Sequence, residues 1–360
     1  FFKQKTAYEI HERLVGSEMC IRDRNNIEEI ASYIVSDGKG ILAADESNPT
    51  CGKRFDTIGV ENIESNRRDY REMLFRASGL KQNIGGVILF DETLRQDAKD
   101  GTPLIDIMNA AGALPGIKVD KGLVPISEGS DEVITQGLDG LNDRLKEYAA
   151  IGAKFTKWRA VIKIGNDMPT DQCIDGNADA LAEYAKLAQN NGLVPIVEPE
   201  ILMDGGHTIE QSFNASSRAL ASLFKSLKSK GVNLKGVLLK PSMVTPGSEA
   251  TLKASIEDVA SMTLKSLKEN VPAEVPGITF LSGGQTEVEA TQHLDAMNKM
   301  GGFSWKLSFS YGRALQAGAL KAWSGDAGNI FIAQDILSHR AKMNNLAAQG
   351  EWSIDQEEEF

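Results

Sequence analysis

The chain has few of the residues that hold metals or cross-links: four histidines and three cysteines in 360 residues. His11, His207, His293 and His339 never stand at ligand spacing, so a histidine-based zinc site is not expected. Cys20, Cys51 and Cys173 form no CxxC pair. Their spacing offers neither a thiolate metal site nor a disulfide framework and fits a reducing compartment. No run of about 18 apolar residues exists, so no membrane-spanning helix is expected. Basic residues are outnumbered, 39 to 50, and the net charge is -11. That balance argues against a nucleic-acid binder working through a generally basic surface. What is present, 41% hydrophobic and 25% charged residues, is the composition of a soluble globular protein.

Residues 1–24, "FFKQKTAYEIHERLVGSEMCIRDR", lack the apolar stretch and small-residue cleavage site of a signal peptide. They read as a translated sequencing-library adapter and are set aside as a non-native arm, as a tag would be. From residue 25 the pattern becomes regular. "NNIEEIASYIV" reads as a short amphipathic helix, followed by a buried strand in "GKGILAAD" (38–45). Seven more apolar runs of strand type follow: "GGVILF" (85–90), "LPGIKVD" (114–120), "AKFTKWRAVIKI" (153–164), "LVPIVEPE" (193–200), "GVLLKP" (236–241), "GITFLSGG" (277–284) and "WKLSFSYG" (305–312). Helical stretches such as "DEVITQGLDGLNDRLKEYAAIG" and "NADALAEYAKLAQNNG" lie between them, several ending in glycine. Eight strands alternating with eight helical segments predict a single-domain α/β fold, a (β/α)8 TIM barrel, over residues 25–345. An open doubly wound sheet would carry GxGxxG after its first strand, and "AADESNPTCG" stands there instead. Residues 346–360 read as a loose acidic tail.

In such a barrel the C-terminal ends of the strands build the active site. Those ends carry Asp45 on the first strand, Lys118 on the third, Lys157 and Arg159 on the fourth, and Glu198 and Glu200 on the fifth. Lys240 ends the sixth, Ser282 follows the seventh, and Ser310 and Arg313 mark the eighth. Residues two apart on a strand face the same way, so Lys157 pairs in direction with Arg159, and Glu198 with Glu200. One buried charge is usually half of a structural ion pair. Charges on most strand ends are costly to desolvate together and read as one functional site. Five cations there against three carboxylates, in a chain of net charge -11, point to an anionic ligand. "LSGGQT" and "SFSYGR" supply hydroxyls, glycine N–H groups and a guanidinium in the loops that hold phosphate in many barrels. Lys118 and Arg159 are placed for a second anion. Lys240 follows Val237, Leu238 and Leu239. Apolar walls and a neighbouring ammonium favour the free amine, which attacks carbonyls to form a Schiff base. Glu198 and Glu200 are placed to move protons in carbinolamine dehydration, and Asp45 to handle a substrate hydroxyl.

Between about Asn25 and Gly350 the chain resembles the class I, Schiff-base-forming fructose-bisphosphate aldolases. "GKGILAADES", "GKRFDTIGVEN", "GVILFDETL", "GIKVDKG", "KWRAVIKI", "VEPEI", "LLKPSMVTPG", "FLSGGQ" and "SFSYGRALQ" carry the resemblance, and "ADESNPTCGKR" is closest to plastid and bacterial members. The resemblance implies that Lys240 is the Schiff-base lysine and Glu198 its acid/base residue, assisted by Glu200 and Lys157, with Asp45 acting in cleavage between carbons three and four. It places one phosphate against Ser282, Gly283, Gly284, Ser310, Gly312, Arg313 and Arg54, and the other against Ser47, Lys118 and Arg159. The implied reaction is the glycolytic and gluconeogenic one: reversible cleavage of fructose 1,6-bisphosphate to dihydroxyacetone phosphate and glyceraldehyde 3-phosphate. It implies no metal or other cofactor, the imine on Lys240 serving as electron sink. It also implies a cytoplasmic homotetramer without nucleic-acid or membrane partners, a plastid location remaining open. Many members end in a tyrosine that helps protonate the enamine, whereas this chain ends "EEEF" in Phe360. Their N-terminal residues, which can pack between subunits, are replaced here. Two alternatives stand beside this reading. Another Schiff-base barrel, transaldolase-like or a keto-acid aldolase, needs the central lysine but not two anion sites. A catalytically impaired scaffold would keep the fold without the chemistry.

Overall fold

The computed structural model describes residues 26–358, so the expected arm at 1–24 and Phe360 lie outside the described residues. Eight parallel strands close into a barrel: β1 (Gly40–Ala44), β2 (Ile84–Leu89), β3 (Leu114–Lys118), β6 (Phe155–Ile162), β7 (Val194–Ile201), β8 (Leu238–Leu239), β9 (Gly277–Phe280) and β10 (Lys306–Tyr311). The order round the barrel is β1-β10-β9-β8-β7-β6-β3-β2, so neighbours in space follow the chain and β10 closes on β1. All eight strands read from the sequence are present. The remaining two, β4 (Leu123–Pro125) and β5 (Val133–Thr135), pair antiparallel outside the barrel. This corrects the helix expected from residue 131. The β-branched run Val133, Ile134, Thr135 takes the extended backbone it favours, and the helix begins only at Leu141.

Alternation along the strands sorts the side chains into two layers. Leu42, Ala44, Val87, Leu89, Ile117, Trp158, Val197 and Leu239 face outward into the layer shared with the surrounding helices. Ile41, Ala43, Ile88, Leu114, Phe155, Val194, Ile196 and Leu238 face the lumen and form a separate cluster. That inner cluster is closed from below by the helix Ile27–Ile34, which adds Ile30, Ala31 and Ile34. Phe155 fills the lumen because Gly116 beside it has no side chain. A Cβ there would lie 2.2 Å from the Phe155 ring.

Continuing each inward series towards the strand's C-terminal end changes its chemistry. Ile41 and Ala43 lead to Asp45, Leu114 and Gly116 to Lys118, Phe155 to Lys157, Val194 and Ile196 to Glu198, and Leu238 to Lys240. The lumen is therefore hydrocarbon below and ionic above.

The tail expected to be loose is docked as far as the description runs. Trp352 is buried, its Nε1–H donates to Glu357 Oε1 at 2.9 Å, and Glu357 also receives Arg340, itself buried. Two desolvated partners hold this acidic segment, against the general tendency of termini to fray.

Candidate active site

A cavity of about 1570 Å³ opens at the C-terminal end of the barrel. Every residue anticipated from the sequence lines it except Gly284, which adjoins it through Arg313. Eleven basic and seven acidic side chains line the cavity, so it is net positive within a net negative chain.

At its floor four ionisable groups meet. Lys157 Nζ lies 2.8 Å from Asp45 Oδ2 and 3.2 Å from Glu198 Oε2, while Lys240 Nζ lies 3.0 Å from Glu198 Oε1. Register explains the meeting: Lys118 pairs with Lys157 across β3 and β6, and Arg159 with Glu198 across β6 and β7. Lys157, Glu198 and Lys240 are each less than 5% exposed. The neighbour expected for Lys240 was Lys157; the structure puts Glu198 between them, one oxygen toward each ammonium. Glu198 Oε2 has no aligned hydrogen bond, so its contact with Lys157 is an ion pair only.

Burial by itself would raise the Asp45 carboxyl, but the ammonium groups of Lys157 and Lys240 outweigh it and hold Asp45 well below the usual carboxylate range. Glu198 is likewise lowered, burial being overcome by Lys157, Lys240 and Arg159. Burial would lower Lys157, yet Asp45 and Glu198 raise it above the usual lysine range. The group therefore rests as two carboxylates sharing one firmly charged ammonium.

Around this floor the walls differ. On one side Gly283 and Gly284 take φ of 59° and 97°, a left-handed path open to glycine. The loop is braced by Gln285, whose Nε2–H donates to Ser282 O at 2.9 Å and whose Oε1 faces His293 Nδ1 at 2.6 Å. The helix Arg313–Trp323 begins at Gly312, in the cavity lining, with no side-chain cap on its first N–H groups. The Arg313 side chain makes no hydrogen bond or ion pair among the described residues. Ser310 Oγ is buried without a partner. Arg54 Nη2 lies 3.6 Å from where a Gly312 Cβ would stand. Apart from Arg54, whose Nη1 is held by Glu46, these are unspent donors around one volume.

On the opposite side the cations are occupied. Lys118 is bound to Asp120, and Arg159 to Glu200 through Nε and Oε2. Glu200, expected to serve Lys240, is thus held by Arg159. Ser47 precedes the helix Asn48–Asp56 and shares a 3.0 Å hydrogen bond with Thr50.

Sequence reasoning missed two carboxylates. Asp120 lies two residues beyond Lys118, just past the end of β3, and its Oδ2 accepts from Arg159 N. Glu46 is buried between Arg54 and Arg71, the latter from the helix Glu64–Phe75. The phase of β3 could have found Asp120; nothing local points to Arg71 as a partner of Glu46. Among the described residues no group of three or more histidine, cysteine and carboxylate side chains could hold a metal ion.

Comparison with known proteins agrees with this geometry. Residues 26–360 match the family model described as "Glycolytic: Fructose-bisphosphate aldolase class-I". A probable fructose-bisphosphate aldolase class 1 of Xanthomonas axonopodis pv. citri is 52% identical over 327 residues, 91% of this chain and 98% of the relative. The cytosolic fructose-bisphosphate aldolase 6 of Arabidopsis thaliana is 53% identical over 326 residues, 90% of this chain and 91% of the relative. Among solved structures, the fructose-bisphosphate aldolase of Plasmodium falciparum, in complex with TRAP and a small-molecule inhibitor, superposes with a TM-score of 0.90 at 48% identity. That match covers 91% of this chain and 95% of the other. With the barrel, the lysine–carboxylate floor and relatives matched nearly end to end in agreement, the chain belongs to the class I fructose-bisphosphate aldolase family.

Proposed function

We propose that this chain cleaves fructose 1,6-bisphosphate reversibly through a Schiff base on Lys240. The observation that carries the assignment is the buried contact of Lys240 Nζ with Glu198 Oε1 at 3.0 Å, within a net positive cavity. Two protons of the Lys240 ammonium pass by way of Glu198 to the C2 oxygen, the first as the freed amine attacks the carbonyl and the second as the carbinolamine oxygen leaves as water. The resulting iminium is the electron sink, so the cycle needs no metal. Asp45, held ionised by Lys157, accepts the proton of the C4 hydroxyl as the C3–C4 bond breaks and its electron pair moves into the iminium. Glyceraldehyde 3-phosphate departs. The enamine takes a proton at C3, and hydrolysis of the imine releases dihydroxyacetone phosphate and regenerates Lys240.

Lys157 serves both carboxylates, holding them charged and apart. Glu200 acts through Arg159 and tunes that end of the site. The unspent donors of Ser282, Gly283, Gly284, Ser310, Gly312 and Arg313, joined by the free Nη2 of Arg54, receive one phosphate; Ser47, Lys118 and Arg159 receive the other, Lys118 and Arg159 exchanging a carboxylate for it. A cytosolic homotetramer is the setting that the resemblance and the cytosolic Arabidopsis relative support. Cleavage measured in EDTA tests the assignment. Lys240→Met should keep the fold and lower kcat by at least about 10³-fold. Activity within tenfold of the unmodified protein would remove Lys240 from the reaction.

A further inference from the structure

β8 contains two residues, yet it carries Lys240 at its end. Lys240 N donates to Val197 O at 2.9 Å, and there the backbone ladder between β7 and β8 stops. The next residue, Pro241, faces the other way, its carbonyl accepting from Leu281 N at 3.1 Å just past β9. On β7 the next residue turned toward β8 is Pro199, two past Val197, and it lacks the N–H that would continue the ladder. A small cavity of about 10 Å³ lies between this stretch (Pro199, Pro241, Ser242) and the helices Ile209–Ser229 and Ile256–Asn270 packed behind it. The strand with the nucleophile is thus loosed from the strand with its acid/base carboxylate just where their side chains must meet.

Ser242 closes that gap. Its Oγ donates to Ile201 O at 2.9 Å and accepts from Ile201 N at 3.0 Å, so one side-chain hydroxyl makes both bonds that a strand backbone would have made. Ser242 is nine-tenths buried, and Ile201 is the last residue of β7, just past Glu200. The next tie of the segment goes elsewhere: Val244 N donates to Thr263 Oγ1 at 2.9 Å, on the helix Ile256–Asn270. Ser242 is therefore the tie that couples the Lys240 segment to β7 beyond the ladder.

We propose that Ser242 is a positioning residue of the cleavage reaction, holding Lys240 Nζ in register with Glu198. It touches no reacting atom and acts through Pro241 and the backbone. The inference rests on Lys240 being the nucleophile. Thr263 supplies the control: Thr263→Val removes another buried hydroxyl bond to the same loop, one that ties it to a helix and not to β7. The experiment follows the rate of imine formation by quenching with borohydride after mixing with dihydroxyacetone phosphate, with the modified peptide identified by mass spectrometry.

Ser242→Ala should form the Lys240 adduct at least about tenfold more slowly and lose kcat in proportion, with KM changed less than about twofold. Thr263→Val should be less heat-stable and trap Lys240 at close to the original rate. Ser242→Cys, which keeps a weak donor in place, should recover part of the loss and provides the reading if the alanine variant does not fold. An unchanged trapping rate in Ser242→Ala, or an equal fall in Thr263→Val, would overturn the positioning role alone. An adduct on a different lysine in the unmodified protein would overturn the nucleophile assignment and this inference with it.

Discussion

Lys157 is the residue on which the charge state of the site turns. It is buried and ion-paired to Asp45 and Glu198, with Asp120 adding to their field. Lys157→Met keeps most of the volume and leaves two carboxylates buried without their shared cation. Stability should fall by about 3–5 kcal/mol and kcat by about 10²-fold or more, measured by denaturant unfolding and by the cleavage assay. The pH sign follows from the direction of the shifts. Asp45 and Glu198 titrate below their unfolded values near about 4, so the stability they lend is complete above about pH 5 and drains away as pH falls. Without Lys157 the largest part of that support is lost, Lys240 remaining, and the acid-unfolding midpoint should move upward by about half a unit or more. A midpoint that stays in place would show that the two carboxylates do not depend on this ammonium. At this scale the sequence was most legible where period two applied, as with Lys157 beside Arg159. It was mute where a partner came from another element, as Arg71 does for Glu46.

The strands are the elements that read most directly, because a parallel barrel strand is a short apolar run and the inward phase can be followed to its charged end. Gly116 shows how closely that phase is set. Gly116→Ala would put a methyl 2.2 Å from the Phe155 ring, inside a lumen closed from below by Ile30 and Ile34. A loss of about 1–3 kcal/mol or more is expected in thermal or denaturant unfolding. An unaffected midpoint would mean the lumen can repack. Less legible were pieces whose structure depends on a distant surface. β5 sits in a stretch read as helical from its Ala, Leu, Glu and Lys content, and its partner β4 lies before that stretch. The acidic tail gave no sign that Glu357 would find Arg340, 17 residues earlier on the helix Ile330–Ala347. Its composition resembles a solvated end; the partner decides otherwise.

For the whole molecule the separation of charge matters most. A chain of net charge -11 concentrates eleven basic side chains around one opening, several of them, such as Arg313, without a partner among the described residues. A doubly phosphorylated substrate should be drawn in by that field, and screening should weaken the pull. Raising ionic strength from about 0.05 to 0.5 M should lower kcat/KM for fructose 1,6-bisphosphate several-fold, and lower it less for a substrate with one phosphate. Equal falls for both would count against two phosphate subsites. The most direct test remains chemical capture of the intermediate. The protein is incubated with dihydroxyacetone phosphate in EDTA, reduced with borohydride, digested and mapped by mass spectrometry. A reduced adduct on Lys240 is the predicted result; an adduct on any other lysine, or none on folded protein, would contradict the account.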